Sequence, residues 1–129
     1  MKYVDGFVGI VAEKNLPAYR ELAEALGKIW KKYGALEYVE CIGEDLNPKL
    51  PEGIPPEMSG PTFTKIAGAK AGETVIFSFI VFKSRAHRDE VNAKVMKDPF
   101  MTDPAQQNKP MPFDMKRMAY GGFKVIVEA

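Results

Sequence analysis

The stretch ETVIFSFIVF, Glu73 to Phe82, decides how this chain folds. Beyond Glu73 and Thr74 its only polar residue is Ser78, and the rest are β-branched or aromatic. Ten such residues are too few for a membrane-spanning helix, which needs roughly 20. They read as a strand. A strand covered on one face only would carry a polar residue at every second position. This one does not, so it is expected at the centre of a sheet with both faces covered.

Working outward, YVDGFVGIVA (Tyr3 to Ala12) reads as a first strand, with Asp5 as its one charge. Asn15 is a plausible N-cap, and Pro17 falls in the first turn of a helix, where its missing N–H costs least. Leu16, Tyr19, Leu22, Ala23, Leu26, Ile29, Trp30 and Tyr33 then recur at three- and four-residue steps. That spacing predicts an amphipathic helix over 16–33, closed by Gly34. ALEYVECIG (Ala35 to Gly43) reads as a second strand. Five of the ten prolines lie between Pro48 and Pro61, which marks a long loop unable to form a ladder or helix interior. TFTKIAGAK supplies one or two helical turns, with Phe63, Ile66 and Ala67 expected inward.

After the central strand, Ser84 caps a second helix over 85–97, stopped by Asp98-Pro99. FMTDPAQQNKPMPF reads as another polar, proline-marked loop, and KRMAYGGFKVIVEA as a fourth strand. The order strand, helix, strand, strand, helix, strand describes an α+β, ferredoxin-like βαββαβ sandwich in one domain over residues 1–129. Its antiparallel sheet carries both helices on one face. The apolar open face is expected to be buried against a second copy, giving a homodimer.

Eighteen basic and seventeen acidic residues leave a formal charge of +1, no field for gripping nucleic acid. Cys41 is the single cysteine, so no internal disulfide forms, and a reducing compartment suits the chain. Asp5 interrupts the apolar N-terminus and no small-residue cleavage site follows, so a strand is read there and not a signal peptide. The expectation is a cytoplasmic protein without membrane or nucleic-acid partners.

Four blocks, YVDGF, AYRELAEALGKIWKKYGALEYVEC, ETVIFSFIVFKSRAHRDEVNAKVMKDP and MPFDMKRMAYGGF, together resemble the YbaA-like family of small bacterial proteins, a domain of unknown function. The resemblance covers most of the chain outside 44–72 and implies a dimeric α/β barrel. Such barrels are akin to cofactor-free monooxygenases, chlorite-dismutase-like haem proteins and stress-response proteins. It transfers no activity, because related barrels host several chemistries. Relatives often carry Glu where this chain has His87, removing the usual Ser-x-x-Glu capping box. The proline-rich loop is also longer than in many relatives.

Cofactor and metal motifs are missing from the sequence. His87, the only histidine, is expected exposed in the first turn of the second helix. One His and one Cys with no paired spacing do not make a zinc site. Gly121-Gly122 lies within a strand, where it permits a bulge or a close backbone approach, and not between a strand and a helix N-terminus as a phosphate loop requires. Cys41 has no neighbouring base and reads as a packing residue. Met111, Met115 and Met118 fall close together, which fits either a sticky surface cluster or, equally well, gap-filling at the dimer seam.

The candidate catalytic residues are Asp5, Arg117 and Tyr120. A charge inside the first strand needs a partner, and Arg117 on the neighbouring fourth strand is the expected one. Tyr38 and Glu40 share a face of the second strand and are candidate ligand-binding residues; Glu37 is grouped with them. Two functions fit. In one, a pocket between sheet and helices, partly covered by the proline-rich loop, binds a small polar or aromatic ligand. Cofactor-independent monooxygenase- or isomerase-like chemistry is conceivable there, with a carboxylate or tyrosinate as base. In the other, a non-catalytic dimeric binding or stress-associated protein uses Asp5 and Arg117 only as structure, and Phe77, Phe79 and Phe123 fill the sheet face.

Overall fold

The computed structural model describes all residues, 1–129. Four strands, β1 (Tyr3–Ala12), β2 (Glu37–Ile42), β3 (Glu73–Phe82) and β4 (Ala119–Lys124), form one antiparallel sheet in the order β2-β3-β1-β4. That is the ferredoxin-like arrangement. The bounds of β1 and β3 coincide with the sequence reading, while β4 stops at Lys124 and leaves the last five residues outside the sheet. Helices α1 (Leu16–Lys32) and α3 (Arg85–Val95) fill the two helical positions, with short α2 (Phe63–Ala67), α4 (Pro99–Thr102) and α5 (Pro104–Gln107) besides.

Register assigns the faces. Asp5 pairs with Ile80 and Gly122, and Tyr38 also pairs with Ile80. Alternation then puts Tyr3, Asp5, Phe7, Tyr38, Glu40, Ser78, Ile80, Phe82 and Tyr120 on the helix side. Val4, Val8, Val39, Cys41, Phe77, Phe79 and Phe123 lie on the open side. Glu37 also falls on the open side, so it does not join Tyr38 and Glu40. The densest core lies at one end of the helix side, where Ile29, Ala35, Ile80, Phe82, Val91 and Val95 are buried together.

Local chemistry explains the ends of the elements. Ser84 caps α3, its Oγ accepting from the His87 N–H at 3.1 Å. In place of the missing Glu, His87 turns its own ring back, its Nδ1 accepting the Lys83 N–H at 3.0 Å, one residue ahead of the Ser84 N–H that a capping-box Glu would bind. His87 is accordingly half-buried, edge-on to Phe82, and not a free surface residue. Gly34, at φ +114°, ends α1 in a conformation only glycine takes without strain. Asn15 makes no side-chain cap, because a single turn of tighter helix over Glu13–Asn15 already leads into α1.

Several expectations are corrected. The segment after α3 is not simply a loop, since Asp98 and Asp103 each accept a backbone N–H and start α4 and α5. Phe63 and Ile66 of α2 do not point into the core; both are exposed, and Phe63 lies edge-on to Phe77 on the open side. Cys41 is exposed on that side as well. Gly121-Gly122 forms no bulge, because the β1–β4 register runs unbroken through it. The close-approach reading holds: a Cβ on Gly122 would collide with the Tyr3 ring.

Candidate active site

Away from the core, the helix side of the sheet is not packed solid. A cavity of about 1000 Å³ opens between the sheet, α1 and the segment running from α4 to Met118, with a mainly apolar lining. Its volume is at the upper end of small-molecule sites. Leu22, Leu26 and Trp30 of α1 form one wall, Phe7, Tyr120 and Met118 the floor, and Phe100 and Phe113 the far rim. Its cover is the α4–α5 segment. The proline-rich loop contributes no residue to the lining, which corrects the expectation that it would be the lid.

Polar groups enter the cavity in two clusters. In the first, Glu40 accepts from two phenols, Tyr19 Oη to Oε1 at 2.7 Å and Tyr38 Oη to Oε2 at 2.8 Å. Burial, and then the Glu40 carboxylate, push both tyrosines far above the usual phenol range. They are therefore fixed hydrogen-bond donors and not bases. Tyr38 lies against Trp30 with ring centroids 6.1 Å apart, and Tyr19 meets Phe113 edge-on at 5.5 Å. Gly27 makes room for this arrangement, since a Cβ there would lie 2.9 Å from the Tyr38 ring.

The second cluster surrounds Asp5, which is 1% exposed. Its partner is Arg88 of α3, whose Nη1 donates to Oδ1 at 2.8 Å while the guanidinium lies over the Tyr3 ring. Asn92, one turn further along α3, stands beside the carboxyl and accepts the Trp30 indole N–H at 3.0 Å. Burial pushes the Asp5 carboxyl above the usual aspartate value, against the pull of Arg88 and Asn92.

The expected Asp5–Arg117 pair does not form. Arg117 precedes β4 at the end beyond the Val8–Ala119 pair, about 16 Å along the strand from the Asp5 position. It makes a two-pronged bond to Glu73 instead, at 2.7 and 2.9 Å, with a third bond to the Gly68 carbonyl. Those bonds, with the Lys70 N–H on Glu73, hold the Glu73 carboxyl down at about 2. Arg117 and Glu73 border a separate depression of about 310 Å³. Tyr120 does line the main cavity, stacked on Phe7 with centroids 5.1 Å apart. Met111, Met115 and Met118 line the cavity too and are not at an open-face seam.

Asp5, Tyr38, Glu40 and Tyr120 thus come together and Arg117 does not. Sequence reasoning missed Tyr19, Trp30, Arg88 and Asn92. Tyr19 and Trp30 are hidden among the apolar residues of α1. Arg88 carried one signal, its position one turn after the Ser84 cap, on a helix whose apolar face is thin.

No group of three or more His, Cys, Asp or Glu side chains gathers as a metal site, and no helix is long and apolar enough to cross a membrane. The model of a protein family of unknown function, DUF1428, matches residues 2–115. Uncharacterized protein YbaA of Escherichia coli (strain K12) is 41% identical over 128 residues, 99% of each chain, and its namesake in Shigella flexneri matches equally. Among solved structures, a dimeric ferredoxin-like protein from an uncultured marine organism aligns with a TM-score of 0.59 over 99% of this chain and 98% of its own. At 12% identity that likeness concerns the fold alone. The family match and the full-length identity to YbaA agree with the four sequence blocks, and the chain belongs to the DUF1428 family.

Proposed function

We propose that the protein is a homodimer that binds a small, largely apolar molecule in the cavity between its sheet and α1. The observation that carries this reading is the cavity itself: a well-packed fold keeps few voids larger than a water molecule. This one has about 1000 Å³ with a built polar cluster at Glu40. An accidental void would not hold two phenols on one carboxylate.

The dimer is supported by the open sheet face, where Phe77 and Phe123 are 45% and 61% exposed. The surface total points the same way. A compact 14.4 kDa chain exposes about 6,800 Å², whereas this one exposes 9105 Å². The largely exposed 44–72 segment and the uncovered sheet face both contribute to the excess. The marine relative of like fold is described as dimeric.

Asp5 favours a second reading, in which the bound molecule is also transformed without a cofactor. Its buried carboxyl, raised by desolvation, borders the cavity, where it would serve as a general base toward an activated carbon acid. Tyr19 and Tyr38, whose hydrogens are given to Glu40, would position the substrate by accepting hydrogen bonds from it.

The test is a thermal-shift screen of small aromatic and aliphatic molecules on the parent, Tyr38→Phe and Asp5→Asn. Ligands that stabilise the parent and lose that effect in Tyr38→Phe support the site. If Asp5→Asn still binds them but no longer turns them over, Asp5 is the base. If no molecule in the screen shifts the parent, the ligand reading fails.

A further inference from the structure

The electrostatics of the cavity point beyond "small apolar molecule". Among the charged residues lining it, Asp5, Glu21 and Glu40 are acidic and only Lys109 is basic. Asp5 is matched by Arg88, but Glu40 enters no ion pair with any cationic side chain. Both of its oxygens accept hydrogen bonds, the pattern an ionised carboxylate makes. Glu40 is half-buried at the wall of a mainly apolar cavity, and its only side-chain partners are two neutral phenols, so its charge faces the cavity without a countercharge.

The surroundings suit a cation. The two phenol hydrogens are committed to Glu40, so the tyrosine oxygens offer only lone pairs to the cavity. Around the carboxylate stand two aromatic walls, Trp30 with Tyr38 and Tyr19 with Phe113. Aromatic faces beside a carboxylate attract ammonium groups through the ring quadrupole, most strongly where water is excluded. An anionic ligand at this wall would meet the like charge of Glu40, and neither Tyr19 nor Tyr38 has a hydrogen left to donate to it.

We infer that the occupant is an organic ammonium ion with an apolar body, its cationic head against Glu40 between the Trp30–Tyr38 and Tyr19–Phe113 walls. The apolar body extends over Phe7, Met118 and Tyr120. This inference rests on the cavity being a ligand site and specifies the charge of what it takes.

Four probes of matched size test it: 2-phenylethylammonium, benzyltrimethylammonium, 2-phenylethanol and 3-phenylpropanoate. Calorimetric titration of the intact protein is expected to rank both cations about tenfold or more tighter than the alcohol, and the carboxylate weakest. Glu40→Gln, nearly isosteric, is expected to erase the preference for the cations, bringing their affinity down to that of the alcohol. Retained alcohol binding shows that the variant still folds around its cavity; should that variant fail to fold, the ranking on the parent decides. If the alcohol equals or exceeds the cations, the ammonium inference falls and the ligand site stands. If no probe binds, both fall.

Discussion

Asp5 and Arg88 carry the sharpest expectations at the scale of single residues. Removing one partner of a buried pair strands the other, at a cost of about 3–5 kcal/mol. Arg88→Met is therefore expected to lower unfolding stability by about that amount in a urea titration. Asp5→Asn/Arg88→Met should recover much of the loss, because no charge is then left buried. Arg117→Ala should leave Asp5 untouched, an outcome that separates the observed pairing from the one expected by strand adjacency. Arg117 governs Glu73 instead. The Glu73 carboxyl is held at about 2, below its ordinary 4.5, first by Arg117 and then by the Lys70 N–H. A lowered native value means that the unfolded chain takes up the proton first. The Glu73 contribution is thus complete above about pH 4.5 and is lost as pH falls toward about 2. Glu73→Gln is expected to flatten the melting-temperature profile across that window, and carbon-detected NMR of the carboxyl should show its titration near 2.

Among the elements, α1 shows how a site can run against local propensity. Glycine inside a helix is about 1 kcal/mol worse than alanine, so Gly27→Ala would stabilise an isolated α1. Here the added methyl meets the Tyr38 ring. The expected result is a lower melting temperature together with a changed near-ultraviolet dichroism as Tyr38 and Trp30 shift. An increase in stability would show that the ring yields easily. The cavity cover is tied down in a similar way. Asp98, buried at the start of α4, accepts from Tyr33 of the α1 terminus at 2.7 Å and from the Phe100 N–H at 2.9 Å. These bonds, the Tyr33 one foremost, hold its carboxyl below the usual range. They couple the end of α1 to the segment that roofs the cavity.

For the whole molecule, the two faces of one sheet divide the functions. The helix side holds the cavity, and the open side presents Val4, Val8, Phe77, Phe79 and Phe123, the surface the proposed dimer would cover. Phe123→Asp puts a charge on the exposed β4 part of that face and should convert a dimer to a folded monomer. Light scattering would give the mass and far-ultraviolet dichroism the retained fold. A parent that is already monomeric would sink the dimer.

The division between sequence and tertiary structure is physical. Periods of two and of three to four residues report burial on one side of an element, so β1, α1 and β3 were legible almost to the residue. The apolar run of β3 and the lone charge at Asp5 likewise announced a central strand and a buried acid. Turn residues were less informative, and Asp98 and Asp103 showed themselves as helix caps only once their N–H partners were in place. Partners distant in sequence were not legible at all. Strand order placed Arg117 beside β1 but not beside Asp5, since pairing depends on position along the strand as well as on adjacency. Arg88 reaches Asp5 because α3 crosses beneath that end of the sheet. Tyr19 meets Glu40 because α1 packs close enough at Gly27 to bring its phenol over β2. The fold follows from local patterns that each element carries by itself; the site follows from where separate elements happen to meet, which only their packing decides.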